Sequence, residues 1–340
     1  MKSATNSAPF LPRKGRWPVS LAALFWITVC LAALLAAAEM SGRTVLGKKR
    51  AGAGPGREAE DRAAAAEEHF EKAARYLAEE KKAEGFPVRN GWSGQANALL
   101  GEEWTPLVTT LGNLESKHLA SRAVWARVLT QELHRIGIRQ KDTVAAGFSG
   151  SFPGLNLALI TACQALGARL IAISSVTASS FGANQPGFTW PEMEARLYRA
   201  GLIRPASAAI SIGGEADCGE GLDPEARLVA IDIRRKTALA LGASILDPPD
   251  LPSAISWRMD LYHRLAPGHG PSLYVNIGGN AASMGSAAAI LRQGNGWLRA
   301  LPFDFSPERG VMARFAERNI PVLHLLNIRG LARRWGVPPE

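Results

Sequence analysis

From Thr143 onward, short apolar runs rich in β-branched residues alternate with helical stretches, and glycine punctuates nearly every change. TVAAG (143–147) enters FSGSFPG and the helical run LNLALITACQAL, which stops at Gly167. RLIAIS (169–174) follows, then SAAISI (207–212), which enters GGEADCGEG and a helix from Pro224 to Leu241 stopped at Gly242. ASIL (243–246) precedes a helix near 253–265, SLYVNI (272–277) enters GGNAASMG and an Ala-rich helix to Arg292, and IPVLHLL (320–326) leads to NIRGLARRWG. Strands separated by helices cannot pair as hairpins, so this rhythm predicts βαβ units. The expected fold class is α/β: a mostly parallel, doubly wound sheet with helices on both faces.

Upstream, the composition divides the chain differently. Residues 1–17 are a basic tail, and 18–38 (PVSLAALFWITVCLAALLAAA) carry no charge. About 20 apolar residues at 1.5 Å rise span a hydrocarbon core of roughly 30 Å, and Trp17 beside Arg16 suits the interface. A single transmembrane anchor is expected there. A cleaved signal peptide is the rival, with Ala36 and Ala38 as small cleavage-site residues. Basic side chains flank both ends, so orientation rests on the export-like character of the segment, which places the body outside the cytoplasm. Residues 39–57 read as a flexible basic linker. Glu58–Glu84, built of Ala, Glu, Lys and Arg with Phe70, Ala73, Ala74 and Leu77 on one stripe, reads as a helix that is either a solvated stalk or packed on the body. Residues 85–120 form an irregular segment with Trp92 and Trp104, ordered against the α/β domain at 121–340. That domain opens with a helix from about Ser121 to Ile136, whose apolar face is Val124, Val128, Leu129 and Leu133.

Charge excludes one class of partner. The formal net charge is +9, yet nine of the 39 Lys and Arg residues, and only one of the 30 acids, Glu39, lie at or before Arg57. The remainder is nearly neutral, which suits attraction of the N-terminal region to anionic lipid and lacks the footprint of a nucleic-acid-binding domain. Cys163 reads as a core hydrophobe and Cys218 sits in a loop; no metal-ligand spacing, P-loop or HExxH motif occurs, so neither metal nor cofactor is expected.

Ligands of open α/β sheets bind beyond the carboxyl ends of the strands, and three Gly-rich turns lie there. In the first, Ser149, Gly150 and Ser151 precede a helix, where hydroxyls and amides suit a phosphate or carboxylate. Helix capping is the plainer role of both serines. GFSGS departs from the GxSxG nucleophile elbow, with Ser151 where the final Gly belongs, and His324 is the one histidine placed for a triad. In the second, Gly213 and Gly214 precede Glu215 and Asp217; in the third, Gly278 and Gly279 precede Asn280. Ser174 and Ser175 end a further strand and complete the candidate rim. Glu192 and Glu194 open a helix after Thr189 and Pro191, where acids complement the helix dipole.

Four segments carry a resemblance: TTLGNLESKHLAS (109–121), GFSGSFPGLNLA (147–158), ISSVTASSFGANQPGFTWPEMEARL (173–197) and NIGGNAASMG (276–285). Behind one N-terminal apolar segment, and in this order over about residues 85–330, they resemble the bacterial poly-gamma-glutamate system protein family. The resemblance implies an accessory role in making or exporting that polymer at the cell envelope. The implied partners are the membrane, other proteins of the system and the anionic polymer; it assigns no catalytic residue. His118 departs from the basic residue, usually Arg, expected after the Lys. Residues 144–175 are also similar to half of a phosphosugar isomerase domain, which implies a small anionic ligand on the serine loop. An enzyme or sensor acting on such a ligand, or on a glutamyl chain, is therefore the alternative function.

Overall fold

The computed structural model describes residues 56–90, 96–286, 294–298 and 309–338. The basic tail, the apolar segment 18–38, all of the linker before residue 56, and Trp92 lie outside these residues, as does the Ala-rich stretch beyond residue 286. Among the described residues no helix is long and apolar enough to cross a membrane.

Seven strands form the central sheet: β1 (Thr143–Phe148), β2 (Arg169–Ser175), β3 (Ser207–Ser211), β4 (Ser244–Ile245), β5 (Leu273–Ile277), β6 (Gly296–Leu298) and β7 (Val322–Leu325). Their order is β4-β3-β2-β1-β5-β7-β6. All neighbours are parallel except β6, which runs antiparallel to β7. The chain thus moves outward from β1 to β4 on one side, then crosses back to lay β5 on the other side of β1. That reversal opens a crevice between the carboxyl ends of β1 and β5, where loops leave the sheet in opposite directions.

Helices cover both faces. Alternate side chains of one strand point to opposite faces. Val144, Ala146 and Phe148 of β1 join one apolar cluster, while Ala145 joins another. The first cluster takes in α1 (Arg57–Ala83), α3 (Val124–Arg135) and α4 (Pro153–Leu166). The second takes in α7 (Leu251–Leu265), α8 (Ala281–Met284) and α9 (Val311–Ala316). The remaining helices are α2 (Leu114–Ala120), α5 (Trp190–Arg199), α6 (Pro224–Leu241) and α10 (Ile328–Trp335). α4 is buried on nearly every side because it lies between the sheet and α1, which is why its sequence reads as an unbroken apolar run. Gly167 and Gly242 end α4 and α6 at φ +70° and +65°, a left-handed conformation that glycine adopts without steric cost.

Of the two roles open to the charged helix, packing is the one observed. Ala59, Ala63, Ala66, Phe70, Ala73 and Leu77 of α1 are buried at helical spacing against α3 and α4. Arg127 of α3 pairs with Glu60 and with Glu67 at 2.5 Å. The segment 85–120 is less irregular than its composition implies. It contains α2, which starts where the Asn113 side chain accepts from the Ser116 amide. The helix expected from Ser121 begins at Val124, because Ser121 closes α2. The apolar face of α3 keeps Val128, Leu129 and Leu133, with Trp125 buried in place of the half-exposed Val124. β6 was not legible: Gly296–Leu298 pairs with β7 through three residues only.

Phe70 is fully buried between α1 and the body, so Phe70→Ala is expected to lower unfolding stability by about 3–5 kcal/mol. Chemical denaturation monitored by circular dichroism checks this; a change below about 1 kcal/mol would show that α1 is only loosely attached.

Candidate functional site

The crevice is closed in by loops that touch because glycine stands at the contacts. At Gly278, just past β5, φ is +89°, and a Cβ there would lie 2.9 Å from Ser149 Cβ. At Gly213, past β3, φ is +87°, and a Cβ would meet Thr177 Oγ1 at 2.4 Å and Ser175 Cβ at 2.8 Å. Any side chain at either position would push the hydroxyl-bearing loops apart. Asn280 donates from Nδ2 to Ser175 Oγ at 3.3 Å, so the loops after β2 and β5 meet across the end of β1. Ser175 in turn donates to the carbonyl of Phe148 at 3.3 Å.

Several donors here are uncommitted. Among the described residues no hydrogen bond occupies the amides of Gly150, Gly279 or Asn280. Ser149 Oγ accepts the Ser151 amide at 3.1 Å, and Ser151 Oγ accepts the Ser179 amide at 3.0 Å. The first is a local turn contact ahead of α4; the second ties the β1 loop to the β2 loop.

Lys117 of α2 reaches this junction. It is 2 % exposed. Its ammonium contacts the carbonyl of Ser151, donates to Ser179 Oγ at 2.6 Å, and lies 4.1 Å from the centre of the Phe152 ring. Among the described residues no carboxylate pairs with it, and burial alone pushes its pKa down to about 7. An unpaired lysine in such surroundings is stabilised in its neutral form. The crevice therefore combines hydroxyls, free amides and one latent cation.

Other candidates fall elsewhere or serve the fold. Asp217 is 1 % exposed and binds Arg258 of α7 at 2.6 Å. Ser211 donates to its other oxygen at 2.8 Å, so Asp217 anchors the Gly213 loop from beneath. Glu215 is exposed on that loop, next to half-buried Gly214. Ser174 lies apart from the crevice, 2.6 Å from Ser207 Oγ. Glu194 accepts from the amides of Ala206 and Ser207 at 2.7 and 2.8 Å and from the Ser207 hydroxyl at 2.5 Å; burial pushes its pKa up against these bonds. Glu192 forms a capping box with Thr189. Cys163 is buried and its thiol is pushed up to about 12 by burial. Among the described residues no cluster of His, Cys, Asp and Glu is placed to hold a metal.

A cavity of about 580 Å³ lies at the opposite, amino end of the sheet, lined in part by Lys141, Arg169, Arg204 and Arg264. The carboxyl ends of α4, α6 and α7 border it, at Gly167, Leu241 and Leu265. Cations there complement the negative ends of three helix dipoles, which accounts for their concentration without a ligand.

Neither Lys117 nor its partner Ser179 was singled out by the sequence. Lys117 sits in a short helix of mixed polarity, and only the burial of Lys117, His118 and Ala120 on one side sets it apart. No family model, curated protein or solved structure matches the chain, so the reading rests on this geometry and on the sequence.

His324 of β7 is buried beneath the crevice, with Nδ1 2.9 Å from Asn276 Nδ2, and burial lowers its pKa to about 4. With a folded value below the ordinary 6.5, its stabilising contribution is complete above pH 6.5 and is lost as pH falls through 4. Relative to His324→Leu, the native protein should lose about 3 kcal/mol across that interval. Urea titrations of both proteins at pH 7 and pH 4 measure the difference; a constant gap would show that His324 titrates normally.

Proposed function

We propose that this chain is a membrane-tethered accessory component of poly-gamma-glutamate synthesis or export, and that the β1–β5 crevice holds carboxylate groups of the polymer or of a glutamyl precursor. The observation that supports this most is that, among the described residues, the Gly150 and Gly279 amides make no hydrogen bond and a buried lysine near them has no acid partner, at the reversal of strand order. Donors without acceptors in a buried polar site favour an incoming anion. The family resemblance supplies the identity of that anion. The apolar segment 18–38 supplies the tether, and the body is read as facing outward, where an exported polymer would meet it.

A phosphate on a small sugar is the competing ligand, because the serine loop ahead of α4 offers amides and hydroxyls to either group. The accessory and sensor readings share this binding step. Deleting the gene is expected to reduce both cell-bound and released polyglutamate. Unchanged polymer would remove the assignment to that system.

Ser149→Ala with Ser151→Ala is expected to weaken binding of a γ-glutamyl oligomer by about 5- to 150-fold, at about 0.5–1.5 kcal/mol for each hydroxyl lost, with the fold kept. Isothermal titration of the two proteins, with inorganic phosphate as the competing probe, decides between ligands. Tighter binding of phosphate than of the oligomer would favour the sugar-phosphate alternative. Protease added to intact spheroplasts should digest the body, and complete protection until lysis would reverse the topology.

A further inference from the structure

The body buries two lysines, Lys81 and Lys117, among the described residues. Lys81 of α1 is fully buried and donates to the carbonyls of Leu100 at 2.7 Å and Ala98 at 3.3 Å. Carbonyls can only accept, so those bonds act as a staple. Lys117 instead faces a hydroxyl at 2.6 Å, and a hydroxyl has a proton to give. A neutral amine offers one lone pair and two N–H groups. The lone pair can take the Ser179 proton, one N–H serves the Ser151 carbonyl, and the other lies toward the Phe152 ring.

We propose that Lys117 and Ser179 form a serine–lysine dyad that transfers the acyl group of an amide or ester bearing a nearby carboxylate. The position of that carboxylate, at the crevice amides, rests on the reading above; the dyad does not. Ser179 Oγ bonds to the substrate carbonyl carbon while its proton passes to Lys117 Nζ. The carbonyl π electrons move to oxygen, and collapse of that oxyanion breaks the C–N or C–O bond. The leaving amine or alcohol takes the proton from Lys117, leaving an ester on Ser179. Water, or an amine acceptor, then gives its proton to Lys117 and attacks the ester, and Oγ departs by taking that proton back.

The surroundings supply what this step needs. The Gly150 amide makes no hydrogen bond among the described residues. The Ser151 hydroxyl accepts the Ser179 amide at 3.0 Å and keeps its own proton to donate, and donors of this kind stabilise an oxyanion that forms within their reach. Burial beside Phe152 and the close loops lowers the amine's pKa to about 7, so that a large share is in its basic form near neutral pH. Ser179 retains 6 % of its surface exposed and Ser149 8 %. A small electrophile therefore tests whether that opening admits a reactant. Among the described residues Ser149 has no comparable base: its oxygen accepts the Ser151 amide, and His324 is engaged with Asn276.

The full-length protein in detergent micelles is treated with a fluorophosphonate probe, and the adduct is mapped by peptide mass spectrometry. The expected adduct is on Ser179, absent in Ser179→Ala and formed at least 100-fold more slowly in Lys117→Met, with a labelling rate that rises as pH passes through about 7. Ser179→Ala removes a hydroxyl that accepts from buried Lys117, so its circular dichroism melt should fall slightly yet stay well above the labelling temperature, which excludes unfolding as the cause. No adduct on the folded protein, or an adduct on Ser149 that persists in Ser179→Ala, overturns the dyad. Labelling of Ser179 without binding of a γ-glutamyl oligomer would keep the dyad and discard the carboxylate reading; binding without labelling would do the reverse.

Discussion

Parallel pairing of Leu273–Ile277 with Val144–Phe148 fixes the position of every loop at the crevice. The chain has already laid β2, β3 and β4 on the far side of β1 when β5 returns to it. A return to the outer edge would have left the serine loop and the Asn280 loop on distant rims. Joined as they are, the ends of β1 and β5 fall in register at Phe148 and Ile277, and the glycines at 213 and 278 let the neighbouring loops close to van der Waals distance.

Around this junction the protein buries polar groups that a minimal core would avoid. Asp217 and Arg258 are paired and bridged by Ser211. Losing either partner would strand a buried charge, a cost of about 3–5 kcal/mol. Glu194 is held by three donors. Each of these groups ties one element to another: the Gly213 loop to α7 through the Asp217–Arg258 pair, and α5 to β3 through Glu194. Lys117 differs, because its contacts are all neutral. A buried cation without a counterion lowers stability unless it is deprotonated or matched by a ligand, and perturbed groups of this kind concentrate at functional sites.

Much of the framework was legible in the sequence because its signals are local. Strands 143–148, 169–175 and 273–277 and the stops at Gly167 and Gly242 follow from β-branched runs and from the left-handed conformation that only glycine adopts freely. The candidate serines and glycines were found by the rule that parallel sheets bind beyond their carboxyl ends, and Ser149, Gly150, Ser175, Gly278 and Asn280 do converge there. Ser174 does not, since neighbouring residues of a strand face opposite ways and only Ser175 turns to the crevice. α2, β6 and the role of Lys117 depend on contacts distant in sequence, such as Lys117 with Ser179 and Gly296 with His324. No periodicity records such contacts.

The central claim is that anions bind between the β1 and β5 loops. Backbone amide chemical shifts, followed by NMR on deuterated full-length protein during titration with γ-glutamyl-glutamate, report directly on the donors concerned. The amides of Gly150, Gly279 and Asn280 should shift together and saturate with a single dissociation constant. Silence at those amides, with saturable shifts instead around Arg204 and Arg264 at the amino end of the sheet, would contradict the account and move the site to the opposite face.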